Sequence, residues 1–122
     1  IIENTIKKFN RLNSNNKIYA SIGPCIGHKS YEVDFDFYKR FILKQKKNDA
    51  YFANGKKNKK IFNLRKYVND KLIKLNVKVD HIYKDTFSEK GSFFSYRRSQ
   101  KQGQNDYGRC ISVITLTKFG QN

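Results

Sequence analysis

The sequence contains no methionine and no tryptophan, a single proline, two cysteines, and only 10 acidic side chains against 26 lysines and arginines. Without methionine, Ile1 is not a translation start as written, and the chain is expected to begin within a longer protein. Cys25 and Cys110 lie far apart and are too few for a disulfide framework, which suits a reducing, cytoplasmic setting. No apolar run approaches the ~18 residues of a membrane-spanning helix. The opening IIENTIKKFN is amphipathic rather than the apolar core of a signal peptide, so no membrane segment is expected.

The scarcity of acid leaves a formal net charge of +16. Such a charge suits nucleic acid or an anionic membrane surface. The excess is mostly lysine, however, and it comes with abundant Asn and Ile, the pattern of drift in a genome rich in A and T. Charge alone therefore implies no more than weak, non-specific attraction to polyanions. What is present is enough for a core: 122 residues suit one domain, and Phe and Tyr carry much of the burial in a chain that is 38% hydrophobic and 15% aromatic.

Ile2, Ile6 and Phe9 recur at i, i+4 and i+7, which predicts a helix from about residue 1 to Leu12. Ser14–Asn16 read as a turn, and KIYASIG alternates Ile18, Ala20 and Ile22 inward as a half-buried strand ending at Gly23–Pro24. Val33, Phe37, Phe41 and Ile42 predict a helix over about Asp34–Lys46, with Asp34 or Asp36 as its cap. KQKK and GKKNKK flank the short apolar AYF at Ala50–Phe52 and read as a solvated loop rather than a targeting signal. Asn63 is placed to cap a helix lined by Leu64, Tyr67, Val68, Leu72 and Leu75. VKVDHIY, SFFSYRR and RCISVITLT then read as three strands, the last for its Ile, Val and Thr. The order is helix, strand, helix, helix, three strands, an α/β arrangement with a mixed sheet and packed helices.

Three local patterns suggest chemistry. GPCIGHKS, Gly23–Ser30, follows a strand and ends in Gly-x-Lys-Ser, but a phosphate-wrapping P-loop needs four residues between its glycines and Lys directly after the second. Here three intervene, Pro24 removes a donor and His28 separates Gly27 from Lys29, so a strand-ending turn is expected instead. Cys25 and His28 have the spacing of half a zinc site. Only His81 and Cys110 remain to complete it, His81 falls inside a predicted strand, and Cys25 reads as a small buried hydrophobe. Lys90, Gly91 and Phe94 match part of an RNA-recognition signature, while Ser92, Phe93, Ser95 and Arg97 do not.

The stretch GSFFSYRRSQKQGQNDYGRC is different, because arginine is otherwise sparse beside lysine. Planar guanidinium groups at Arg97, Arg98 and Arg109 suit two-point contacts to an anion. On a strand, Arg97 and Arg98 point to opposite faces, so one faces a given pocket. A hairpin through SQKQGQND would return Arg109 beside it to form a clamp, and structural pairing with Asp85, Glu89 or Asp106 is the competing reading.

The succession GPCI, YEV, FNL, FFSYRR and YGR resembles the C-terminal half of the bacterial laccase-domain family, once called polyphenol oxidases and now regarded as purine nucleoside phosphorylases with adenosine deaminase side activity. The resemblance covers nearly the whole chain, and makes residues 1–122 part of a layered α/β domain. It implies a purine nucleoside and inorganic phosphate as substrates, and a zinc ion, copper in older descriptions, held by two histidines and a cysteine. Those ligands belong to segments that precede the helix matching the start of this chain. No metal ligand is therefore expected here, and the chain alone is expected to bind no metal and to be inactive.

Cys25 matches a cysteine that is not a ligand in the family. Asp85, in YKDTF, stands where members commonly carry another cysteine that is not a ligand. FFSYRR and YGR become one wall of an active site, with Arg97 or Arg98, together with Arg109, binding anion and Tyr96 or Phe94 facing base or sugar. A small basic nucleic-acid-binding module is the alternative.

Overall fold

The computed structural model describes residues 1–12, 15 and 17–116. It is a mixed α/β structure with α1 at Ile2–Leu12, β1 at Tyr19–Ile22, β2 at Glu32–Val33, α2 at Phe35–Lys44, β3 at Phe52–Asn54, β4 at Lys60–Phe62, α3 at Leu64–Lys74, β5 at Lys78–His81 and α4 at Tyr96–Lys101. A 3-10 turn over Lys46–Tyr51 joins α2 to β3. β1 and β5 pair in parallel, with Ile22 opposite His81. β2, β4 and β3 form a separate antiparallel sheet in that order.

Local capping chemistry sets the helix starts. The Asp34 carboxylate accepts the Phe37 amide at 2.7 Å, and the Asn63 side chain accepts that of Lys66 at 3.0 Å, each satisfying a donor that the first helical turn leaves open. α2 ends at Lys44, short of the expected Lys46, because Gln45 turns extended while its N–H still reaches the Phe41 carbonyl. Asn76, at a φ of 59°, turns the chain from α3 into β5.

Two apolar clusters form the core. In the first, Ile6, Ile22, Leu72 and Val77 are buried, with Ile18, Ala20, Val68 and Leu75 packed against them. The inward alternation expected of β1 is thus realised, whereas Phe9 of the α1 stripe stays half exposed. The second cluster is aromatic: Val33, Tyr51 and Phe62 are buried among Tyr31, Phe37, Phe41, Phe52 and Tyr67. Phe52 stacks on Phe62 at 4.8 Å and Phe37 on Phe41 at 4.9 Å, contacts each worth about 0.5–1.5 kcal/mol beyond area burial. α3 serves both, with Leu64 and Tyr67 on the aromatic side and Val68 and Leu72 on the aliphatic one.

Four expectations are corrected. KQKK and GKKNKK are largely exposed but do not form one solvated loop: a 3-10 turn and β3 lie between them, and Tyr51 and Phe52 enter the aromatic core. SFFSYRR does not form a strand, because Ser95 caps α4 by accepting the Arg98 amide at 3.3 Å and the following Arg, Gln and Lys favour helix. α4 closes with Gly103 at a φ of 64°, where the Gln104 and Gly103 amides return to the Ser99 and Gln100 carbonyls, so SQKQGQND is a helix end and not a hairpin. Residues 110–116 pair with no strand among the described residues. Residue 117 of that expected strand, and Ser14 and Asn16 of the expected turn, lie outside the described residues.

Candidate functional site

The motifs that stand out in the sequence meet one another in space. The Arg97 guanidinium leaves α4, donates to the Glu32 carbonyl at 2.6 Å and lies over the Tyr31 ring, joining FFSYRR to YEV across 65 residues. The Cys25 amide donates to the Lys84 carbonyl and the Thr86 amide to the Cys25 carbonyl, joining GPCI to YKDTF. Gly108 lies so close to the Phe94 ring that an added Cβ would stand 2.4 Å from it, joining YGR to FFSYRR.

Asp85 is the hub of the second junction. Its carboxylate accepts the Gly27 amide at 2.9 Å, the Ser30 hydroxyl at 2.6 Å and the Phe87 amide at 2.8 Å. Burial works against the charged form, but these donors outweigh it and hold the Asp85 pKa below the ordinary aspartate value. Asp85 therefore organises the GPCIGHKS loop, where the resemblance puts cysteine. The same loop leaves His28 exposed and Cys25 half-buried, with burial pushing the Cys25 thiol pKa up.

The three arginines have different surroundings. Arg98 turns back under its own loop and donates to the Thr86, Phe87 and Phe93 carbonyls, at 2.8 Å and 2.9 Å for the first two. Arg109 is exposed and lies over the Tyr107 ring at 4.6 Å, and Tyr107 in turn meets Tyr96 edge-on at 4.8 Å. Among the described residues none of the three forms an ion pair, so the expected structural partners are otherwise engaged: Glu89 with Lys84, Asp85 with the loop, Asp106 with the Tyr107 amide. Because α4 is a helix, the two-faced strand argument for Arg97 and Arg98 does not apply. They are separated instead by the carbonyls they reach.

A cavity of about 410 Å³ sits in this loop, lined by Lys90, Phe94, Arg98, Gln102, Tyr107 and Gly108 among others. Lys90 and Gly91 lie in a turn and Phe94 in irregular chain between β5 and α4, so no sheet presents them as a base-stacking platform. A second cavity of about 450 Å³ lies between the β5 end and the start of α3, lined by His28, Asn63, Arg65, Asn69, His81 and Tyr83 among others. Arg65 carries no sequence signal of its own. Its guanidinium ties the end of β1 by donating to the Ile22 carbonyl at 2.9 Å and the Gly23 carbonyl at 3.0 Å, and it lies over Tyr83.

A sequence model of the family described as multi-copper polyphenol oxidoreductase laccase matches residues 1–117. The chain therefore belongs to that laccase-like family. Among curated relatives it is 39% identical over 118 residues to a purine nucleoside phosphorylase of Rickettsia prowazekii, a match covering 95% of this chain and 49% of the relative. It is 33% identical over 119 residues to one of Haemophilus influenzae, covering 93% of this chain and 45% of the relative. The crystal structure of a Neisseria meningitidis DUF152 protein superposes with a TM-score of 0.59 at 26% identity, covering 64% of this chain and 33% of that one. The chain thus spans about half the length of the curated relatives it matches.

The family name implies a metal. Among the described residues no three His, Cys, Asp or Glu side chains stand together to hold one, and Cys25 and His28 gain no third partner. The described residues do not fit a metal centre.

Proposed function

We propose that this chain is the C-terminal half of a purine nucleoside phosphorylase domain, and that FFSYRR and YGR supply the wall that binds nucleoside and phosphate. The observation that carries the reading is Arg109, an exposed guanidinium without a carboxylate partner among the described residues, lying over Tyr107 beside Tyr96. The names of the relatives agree with it.

In phosphorolysis a phosphate oxygen forms a bond to C1′ of the ribose as the C1′–N bond to the purine breaks, and the departing base nitrogen takes a proton. The protein must hold a doubly charged anion against the sugar, which a guanidinium fork does well. Arg109 is assigned the phosphate, and Tyr96 and Phe94 the faces of base or sugar. Arg97 fixes α4 to β2 through the Glu32 carbonyl, and Arg98 holds the loop through three carbonyls.

The adenosine deaminase side activity and the zinc implied by the resemblance are assigned to the part of the domain outside this chain, and the chain alone is assigned no turnover. Its two free thiols suit a cytoplasmic protein. No helix among the described residues is long and apolar enough to cross a membrane.

The test is product analysis on a complete domain carrying this sequence, supplied with inosine or adenosine with and without inorganic phosphate. Phosphate-dependent formation of free base and ribose 1-phosphate is expected. Base release that ignores phosphate, or no turnover by the folded, metal-loaded domain, contradicts the proposal.

A further inference from the structure

Phe94 holds both neighbours of Arg109. Gly108 lies on the Phe94 ring so closely that an added Cβ would stand 2.4 Å from Cδ1 and Cε1 and 2.6 Å from Cγ. On the other side of Arg109, the Cys110 thiol donates to the Phe94 carbonyl at 3.9 Å. Between these two contacts the Arg109 guanidinium lies over Tyr107 at 4.6 Å, and Tyr107 meets Tyr96 edge-on at 4.8 Å. Phe94 is fixed in turn by its neighbours, since the Arg98 guanidinium takes the Phe93 carbonyl and Ser95 caps α4.

Glycine is needed at 108 for space and not for conformation. Gly103 sits at a positive φ and Gly108 does not. Carbon atoms in contact stand about 3.5–4.0 Å apart, so a methyl group on residue 108 would clash with the ring. Spinning the ring about its own axis leaves Cγ where it is. Relief therefore needs a new staggered rotamer at Phe94 χ1 or a shift of the 107–109 backbone. With Phe94 anchored on both sides, the backbone carrying Arg109 is the part that gives way. Neither Phe94 nor Gly108 belongs to the two buried clusters, so both cores stay packed while this happens.

We infer that Gly108 is a positioning residue for Arg109: its missing side chain lets the YGR backbone rest on Phe94, and this sets the guanidinium over Tyr107 beside Tyr96. The effect on activity rests on the assignment of Arg109 to phosphate. A two-point anion contact is lost when the fork moves, and a misplacement of about 1 Å near reacting atoms can cost about a hundredfold in rate.

The test has two arms. In this chain, proton NMR should find the Arg109 side chain shifted upfield by the Tyr107 ring, and Gly108→Ala should return it toward the position of an exposed arginine. Phe94→Ala removes the obstruction, so adding Gly108→Ala to that variant should move the signals little further. In a complete domain carrying this sequence, Gly108→Ala should raise the phosphate KM at least about tenfold, by more than the nucleoside KM and with little change in melting. In an Arg109→Lys background the same substitution should add less than about twofold. Arg109 signals that ignore Gly108→Ala, a shift that persists with the Phe94 ring removed, or a phosphate KM raised by Arg109→Lys but not by Gly108→Ala would each overturn the inference. If Arg109→Lys leaves phosphorolysis unchanged, the phosphate assignment falls by itself, and the proton signals alone decide whether Gly108 seats Arg109.

Discussion

Asp85 and Gly27, separated by 58 residues, are locked by a 2.9 Å hydrogen bond from the glycine amide to the carboxylate, and the contact is so close that a Cβ on Gly27 would lie 2.6 Å from Oδ2. Gly27→Ala should therefore destabilise the chain by forcing the carboxylate off three donors. In an Asp85→Ala background the same substitution should cost much less, because the obstructing group is gone. Chemical denaturation of the two single variants and the double variant gives the coupling, expected at about 1–3 kcal/mol. Additive effects would mean that the junction is not tight.

The pH dependence follows from the same carboxylate. Its folded pKa lies below the ordinary value, so its stabilisation is complete above about pH 4 and is lost as pH falls through the lowered value. Asp85→Asn should cost roughly 1–3 kcal/mol near neutral pH. The gap between the two proteins should narrow progressively in melts taken as pH falls below about 4 and through the lowered Asp85 pKa, where the wild type also loses its charge.

Arg98 and Arg109 should separate stability from binding. Arg98→Lys cannot reach three carbonyls with one ammonium and is expected to lower stability by about 1–3 kcal/mol. Arg109→Lys, on an exposed side chain with one ring contact, should stay within about 0.5 kcal/mol of wild type. Thermal melting of both variants checks this, and equal destabilisation would contradict the division of roles.

The two thiols should differ in the same way. Cys110 is exposed, while Cys25 is half-buried with its thiol pKa pushed up by burial, which lowers the thiolate fraction. A thiol reagent at about pH 8 should label Cys110 first, with Cys25 following only slowly or on unfolding, as read by mass spectrometry.

What the sequence disclosed was local. Asp34 and Asn63 announce helix starts because a cap acts over three residues, and Ile18, Ala20 and Ile22 announce a strand because alternation is a property of neighbours. SFFSYRR reads as a strand because its aromatics suggest a sheet, while Ser95 caps a helix. β3 and β4 were hidden by the lysines of their turn, although Phe52 and Phe62 stack. RCISVITLT has the composition of a strand, but β-propensity needs a neighbour to be realised, and the described residues supply none. The individual arginine roles were illegible, since Arg97 and Arg98 differ only in which distant carbonyls they reach. Asp85 was visible as a departure from the family pattern, yet its three donors could be known only from the fold.

The most direct measurement of the central claim is the rate of phosphorolysis and of deamination of adenosine, at varied phosphate, by a complete domain carrying Arg109→Lys. The charge is kept and the planar two-point contact is lost. Phosphorolysis should fall about ten- to a hundredfold, corresponding to roughly 1.5–3 kcal/mol for one charge-assisted contact. Deamination, which uses no phosphate, should fall much less, and the melting temperature should not move. An equal loss of both activities in the folded variant, or no loss of either, would contradict the assignment of Arg109 to phosphate.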